Sequence, residues 1–154
     1  MPFGKAAVLH AGTDITIVAT SQMVIEAKKA IKALEAIGVS AELIDLRTLN
    51  PIDAETLAAS VSKTGRLVVA DGDWRSCGVS AEVVATAFEC AGNVFKASPI
   101  RVTWPSVPSP TSAAMERAFY KGALDIYRAA VKTLGRVGEE VEVDEAVRPF
   151  LGPF

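Results

Sequence analysis

Histidine is nearly absent from this chain of 154 residues: His10 stands alone, beside two cysteines, Cys77 and Cys90. The commonest zinc sites need four Cys or His ligands, and thiol catalysis needs a Cys with a partner base, so both are excluded. Composition thus argues against most hydrolase chemistry. Long apolar runs are lacking as well. The longest, such as residues 15–19 and 67–70, are strand-sized, far short of the roughly 18 residues a membrane span needs. The opening residues MPFGKAAVLH carry no secretory leader, and a cytoplasmic location is the expectation. Neither charge sign dominates, with 16 Lys and Arg against 18 Asp and Glu and a net charge of −2. The bases are scattered, so nucleic acid is not an expected partner.

Against these shortages stands an abundance of core-forming residues, 50% apolar with 22% charged. A chain this long buries roughly two-thirds of its unfolded surface and can build one domain without metal or disulfide staples. Disorder, collagen and a disulfide scaffold are ruled out. On a shared helix, Cys77 and Cys90 would sit about 20 Å apart and could not pair. The stretch after Leu134 holds Glu139, Glu140, Glu142, Asp144 and Glu145 against only Arg136 and Arg148. The net negative charge belongs to this tail, and Gly135 marks the end of the folded body. The expected organisation is a body of residues 1–134 and an acidic tail of residues 135–154.

β-rich apolar runs alternate with helical patterns, the signature of βαβ units and a mostly parallel sheet. Residues 14–19 (DITIVA) predict a strand buried on both faces. Ser21 then caps a helix to Ile37, which Gly38 stops. Residues 40–46 form the next strand. Asn50-Pro51 breaks the chain, Asp53 caps a helix through Lys63, and Gly65 ends it before a strand at residues 66–70. The loop DGDWRSCG at residues 71–78, too polar for a strand, leads into a helix over residues 79–91. A short strand at 100–103 meets Pro105, Pro108 and Pro110, and helices at 112–119 and 124–134 follow. Residues 5–10 predict an additional edge strand.

Ligands of open parallel sheets bind beyond the carboxyl ends of the strands. The first such loop, Ala19-Thr20-Ser21-Gln22, lacks the glycines of a dinucleotide site, and no GxxxxGKS/T string occurs. Asp71 and Asp73 could share a hard cation, as in magnesium phosphotransferases. Arg75 stands where that motif has Thr or Val, so a polar turn into a helix is the preferred reading. The amides at residues 76–78 open a helix and could hold an anion or activate the Cys77 thiol. A buried small hydrophobe at a helix–sheet contact is the preferred reading of Cys77. His10 reads as a surface or interface residue. Trp74 and Trp104 fall in loops after strands, where subunit contact and core packing are both open.

Several strings together resemble the transketolase C-terminal-domain family, specifically the C-terminal domain of 2-oxo acid dehydrogenase first-component beta subunits. They are FGKA at 3–6, GTDITIVA at 12–19, ELIDLRTLNPID at 42–53, KTGRLVVADGDWRSCGVSAEV at 63–83 and PIRVTWPSVPSP at 99–110. The resemblance implies a three-layer α/β/α domain whose five-stranded mixed sheet has the order 1-3-2-4-5, strand 1 antiparallel. It also implies that thiamine diphosphate and magnesium belong to other domains of the parent enzyme, this domain binding none and chiefly building subunit contacts. The implied partners are an alpha subunit, a second beta subunit giving a homodimer of the domain, and the dihydrolipoyl acyltransferase core.

The family's GDG string with its downstream asparagines, which holds magnesium and diphosphate, is missing, since Gly72-Asp73 is followed by Trp74. No catalytic, cofactor-binding or metal residue is therefore assigned. The interface candidates are Arg47, Asp71, Asp73, Trp74, Arg75, Cys77, Trp104 and Pro108, with Arg47 pairing to an acid or strand-end carbonyls. Met1-Pro2 is compatible with a start imposed within a longer reading frame and with a stand-alone domain. Three functions are ranked: an association domain inactive by itself, a free-standing module for a small anion or nucleotide, and last a magnesium phosphatase.

Overall fold

The structure, a computed structural model, describes residues 2–136. In chain order the elements are β1 (Ala7–His10), β2 (Ile15–Ala19), α1 (Met23–Ala36), β3 (Ala41–Asp45), α2 (Ala54–Thr64) and β4 (Leu67–Trp74). These are followed by α3 (Val79–Ala91), β5 (Ile100–Trp104), α4 (Ala113–Phe119) and α5 (Ala123–Thr133). The strands form one sheet ordered β1-β3-β2-β4-β5. β1 runs antiparallel to β3, and every other pairing is parallel. The mixed three-layer fold implied by the resemblance is the fold observed.

Strand β2 lies at the centre, buried at all five positions, as expected for a strand covered by helices on both faces. Side-chain alternation splits it between two cores. Ile15, Ile17 and Ala19 join Leu43, Val68 and Val102 beneath α1 and α5. Val18 joins Ile44, Val69, Leu57 and Val83 beneath α2 and α3. Thr16 is the polar exception on the second face. Its hydroxyl meets Ser60 Oγ at 2.7 Å and Thr64 Oγ1 at 2.8 Å, so the buried group is satisfied by α2. Glu42, also buried, is paired by Lys63 from the same helix.

Helix boundaries follow local chemistry. Asp53 accepts the Thr56 N–H at 3.2 Å and caps α2 as expected. Gly65 ends α2 at φ +70°, a left-handed conformation that costs a residue without Cβ nothing. Ser21, expected as the cap of α1, is instead exposed at φ +47°. Gln22 takes the cap position without a side-chain bond. The first amides of α1 are satisfied by a tight turn: Met23, Val24 and Ile25 N–H donate to the carbonyls of Thr20, Ser21 and Gln22 at 3.0, 3.1 and 3.0 Å.

β4 runs on to Trp74 rather than stopping at Ala70, so part of the expected polar loop is strand. Its partner β5 supplies the reason. The register shifts between Ala70 and Trp74, which absorbs the extra residues and sets Trp74 opposite Trp104. The Trp104 ring lies over Gly72, where even a Cβ would make ordinary contact at 3.4 Å. The acidic stretch expected to form a tail lies outside the described residues.

Candidate association surface

The sheet order reverses between β2 and β4, and at their carboxyl ends a small cavity of about 150 Å³ is lined by Thr20, Met23, Glu26, Asp71, Trp104 and Lys121, among others. This is where an open α/β sheet ordinarily receives a ligand. Its two buried carboxylates are already engaged, whereas the buried Trp104 Nε1 has no hydrogen-bond partner among the described residues. Asp71, only 3% exposed, accepts the Ser80 N–H at 3.0 Å and the Thr20 hydroxyl at 3.3 Å. Burial pushes its carboxyl above the usual range, opposed by those two hydrogen bonds and reinforced by the charge of Asp73. Glu26, 2% exposed, accepts the Ala123 N–H at the start of α5 at 3.0 Å and pairs with Lys29 at 2.6 Å.

These bonds bear on two sequence readings. At the start of α3 the Ser80 N–H is occupied by the chain's own Asp71, which also sets a carboxylate where an anion would sit. Asp71 and Asp73 are also not a paired cation site. Asp73 Oδ1 accepts its neighbour's N–H, Trp74 N, at 2.7 Å, while Asp71 is turned to Thr20 and Ser80. A diphosphate and its magnesium do not fit either, since the Ser80 amide is taken and the buried Asp71 and Glu26 carboxylates are turned to partners inside the fold. No chemical step is derived through such a group.

The segment from Asp73 to Gly78 is where the candidate side chains emerge. Trp74 is 49% exposed. Arg75 and Arg101 are bonded reciprocally, Arg101 Nη1 donating to the Arg75 carbonyl at 3.0 Å and Arg75 Nη1 to the Arg101 carbonyl at 3.5 Å. Cys77 is exposed at φ +63°, contrary to its expected burial, and lies ahead of α3, whereas Cys90 lies within it. The close contact expected of Cys77 is made by Gly78, where a Cβ would stand 2.2 Å from the Trp74 carbonyl oxygen.

The two tryptophans are strand residues, the last of β4 and of β5, rather than loop residues. Trp104 packs inward, 5.7 Å from the Phe119 ring and 5.1 Å from Tyr120. The structure therefore gathers Asp71, Asp73, Trp74, Arg75, Cys77 and Trp104 at one end of β4 and β5. Pro108 is exposed beyond β5. Arg47 does not join them, because β2 lies between its strand and β4. It stands at φ +58°, its Nε donating to Asp45 at 3.3 Å, in keeping with the acid partner expected for it. His10 is half-buried on β1, its Nε2 3.0 Å from Glu35.

A larger feature was not anticipated. Ala81, Val84, Ala85 and Phe88 line an open groove of about 520 Å³ with Pro99 and Arg101. Phe88 is 55% exposed and stacks on Phe95 at 5.8 Å. These four residues follow the i, i+3, i+4, i+7 spacing of one helix face, while Val83 and Ala87 fill the core from the other face. The signal was present in VSAEVVATAFECA, which is apolar on two faces, the pattern of a helix covered on both sides.

The chain matches the family described as "Transketolase, C-terminal domain" over residues 4–126. The "Pyruvate dehydrogenase E1 component subunit beta" of Acholeplasma laidlawii is 44% identical over 110 residues, 71% of this chain and 34% of that protein. The human mitochondrial protein of that description is 40% identical over 135 residues, 87% of this chain and 38% of its own length. The "Acetoin:2,6-dichlorophenolindophenol oxidoreductase subunit beta" of Cupriavidus necator is 37% identical over 134 residues, 87% of this chain and 40% of that protein. Among solved structures, "Split gene transketolase, inactive beta4 tetramer" superposes with a TM-score of 0.75 at 31% identity, covering 88% of this chain and 43% of that one. The chain spans between 34% and 40% of the length of these curated relatives. With a matching sheet order, strand directions and sequence over most of its length, this chain belongs to the transketolase C-terminal domain family.

Proposed function

We propose that this chain is the C-terminal association domain of a thiamine diphosphate-dependent 2-oxo acid dehydrogenase of the beta-subunit type, without catalysis of its own. The parent enzyme decarboxylates a 2-oxo acid and transfers the acyl group to a lipoyl group, chemistry that rests on the cofactor. Its partners are an alpha subunit, a second beta subunit that makes the domain a homodimer, and a dihydrolipoyl acyltransferase core. The body of residues 1–134 is the assembling unit. A reducing, cytoplasmic setting fits two exposed free thiols.

The observation that carries this reading is the second apolar face of α3. Four residues at helical spacing, one of them a phenylalanine more than half exposed, are what a helix shows when a partner covers it. Asp73, Trp74, Arg75, Cys77 and Pro108, exposed at the ends of β4 and β5, supply a more polar margin, with buried Asp71 and inward-packed Trp104 holding that end from within and Arg47 standing apart beyond β2. The Ser80 amide taken by Asp71 supports the reading from the other direction, because it is a donor that a nucleotide phosphate would need.

Sedimentation equilibrium tests it. The wild-type chain is expected to self-associate, and Phe88→Glu with Ala85→Glu, both exposed on that face, to sediment as a monomer with an unchanged circular dichroism spectrum. A monomeric wild type, or an unchanged association state in the variant, would refute the α3 surface. Calorimetry with thiamine diphosphate and magnesium is expected to show no binding, and tight binding would overturn the assignment to a non-catalytic domain.

A further inference from the structure

The exposed side of α3 changes in character across its width. At about 100° per residue, Val84 and Phe88 turn toward β5 and Ala81 and Ala85 face outward, with Val83 and Ala87 behind them in the core. Glu82 and Glu89 lie on the flank away from β5, both exposed and about 10 Å apart along the helix. Beyond the opposite flank stands Arg101 of β5, which lines the apolar groove together with Val84 and Phe88. Arg101 also lines a second groove, of about 600 Å³, that follows the edge of β5 with Arg75, Arg128 and Lys132 and has no carboxylate among its lining residues. The apolar strip is thus bordered by acids on one side and by cations on the other.

None of these charges is neutralised within the described fold. Among the described residues Glu82, Glu89, Arg75, Arg101, Arg128 and Lys132 make no ion pair. Glu89 and Arg101 line the same groove, yet they do not pair across it. Arg75 and Arg101 each spend one donor on the other's carbonyl, and a guanidinium has five. An apolar strip with opposite charges on its two borders is complementary to its own image. A twofold axis normal to the strip carries each copy's acidic border over the other's cationic border and sets the two α3 helices antiparallel. Small residues at the centre, Ala81 and Ala85, allow the helix axes to approach to about 8 Å. A purely apolar partner would cover the strip and leave both borders unanswered. We infer that a second copy docks on α3 about such a twofold axis, Glu82 and Glu89 of each copy lying against Arg101 and Arg75 of the other. This inference rests on the self-association through α3 proposed above and adds what orients it.

Sedimentation equilibrium of two charge-reversed chains tests this, with circular dichroism as the control for folding. Glu82→Lys with Glu89→Lys, and separately Arg75→Glu with Arg101→Glu, bring like charges together across the twofold axis. Each is expected to weaken self-association at least about tenfold. An equimolar mixture of the two at about 0.01 M salt is expected to form heterodimers, because every border then meets its opposite. In the wild type, raising the salt from about 0.01 M to about 1 M shortens the Debye length from about 30 Å to about 3 Å and is expected to weaken the dimer. Charge-reversed chains that dimerise as tightly as the wild type, or that fold but stay monomeric when mixed, would overturn the inference. So would a wild-type dimer indifferent to salt, a result that needs no variant. If Phe88→Glu with Ala85→Glu is monomeric while both charge-reversed chains dimerise normally, the α3 surface stands and its orientation by charge fails. A monomeric wild type removes both and leaves the face to a different chain.

Discussion

Removing the Asp71 carboxylate separates two roles that one residue plays. In Asp71→Ala the Ser80 N–H, buried at the start of α3, loses its acceptor, and the Thr20 hydroxyl loses a weaker one. A buried donor left unsatisfied costs about 1–3 kcal/mol, and with the Thr20 bond the expected loss is about 2–3 kcal/mol. For a body of this size that lowers the melting temperature by roughly 6–15 °C. Asp71→Asn should behave differently. Its amide oxygen can still accept from Ser80 while its NH₂ donates to the Thr20 hydroxyl, so the cost is expected to stay within about 1 kcal/mol. The pH dependence gives an independent check. Burial raises the folded-state value of Asp71, so the folded chain holds this proton after the unfolded chain has released it. Wild-type stability relative to Asp71→Asn therefore falls as pH rises from about 4 through the raised folded value, and is flat above it. Urea unfolding of the three proteins at several pH values measures both effects. Equal losses for Ala and Asn, or a wild-type advantage that grows with pH, would refute the picture of a buried carboxyl serving as an internal cap.

Asp53→Ala removes the cap of α2 and the acceptor of the Ala6 N–H, which lies at 3.0 Å, and is expected to cost about 2 kcal/mol in urea unfolding. Burial alone would raise the Asp53 value, but the Ala6 and Thr56 hydrogen bonds and the Lys5 charge outweigh it and hold it low. Its contribution is thus full above the ordinary aspartate range and is lost as pH falls through the depressed value, so the gap between wild type and Asp53→Asn should close in acid. Gly78→Ala places a Cβ 2.2 Å from the Trp74 carbonyl oxygen, and the emission of exposed Trp74 is expected to change with a loss of about 1–3 kcal/mol. Thr16→Val keeps the volume but strips Ser60 and Thr64 of their shared partner, for an expected cost of about 1–2 kcal/mol by thermal melting.

Where local chemistry decides structure, the sequence was legible. The bounds of α3, the Asp53 cap and the Gly65 stop all depend on residues within a turn of one another. Two errors came from distant partners or from the backbone itself. The polar run after Ala70 becomes strand only because β5 sets Trp104 beside Trp74 and over Gly72, an event some thirty positions downstream. Ser21 loses the cap because carbonyls of its own turn reach the α1 amides first. Cys77 was misplaced by one residue's worth of geometry, since the close approach belongs to Gly78 and turns the thiol outward. The apolar face of α3 was written in the sequence, but a helix apolar on two sides does not reveal which side faces its own sheet until the sheet is built.

The helix starts at the carboxyl edge of the sheet account for the poverty of catalytic side chains better than composition does. An open parallel sheet binds anions there because helix amides point outward with no partner. In this chain α1 spends its first amides on three carbonyls, α2 on Asp53, α3 on Asp71, and α5 on Glu26 and Asp125. Each acid does for the fold what a bound phosphate does in a nucleotide site. The exchange stabilises the domain without a ligand and takes up helix-start amides that a substrate would otherwise use, although the buried Trp104 Nε1 and Ser80 Oγ at this edge have no partner among the described residues. Recognition then depends on what the fold leaves uncovered, the apolar face of α3 and the cationic edge of β5. These two surfaces share Arg101, which lines both grooves, so whatever neutralises the edge also adjusts the rim of the apolar face.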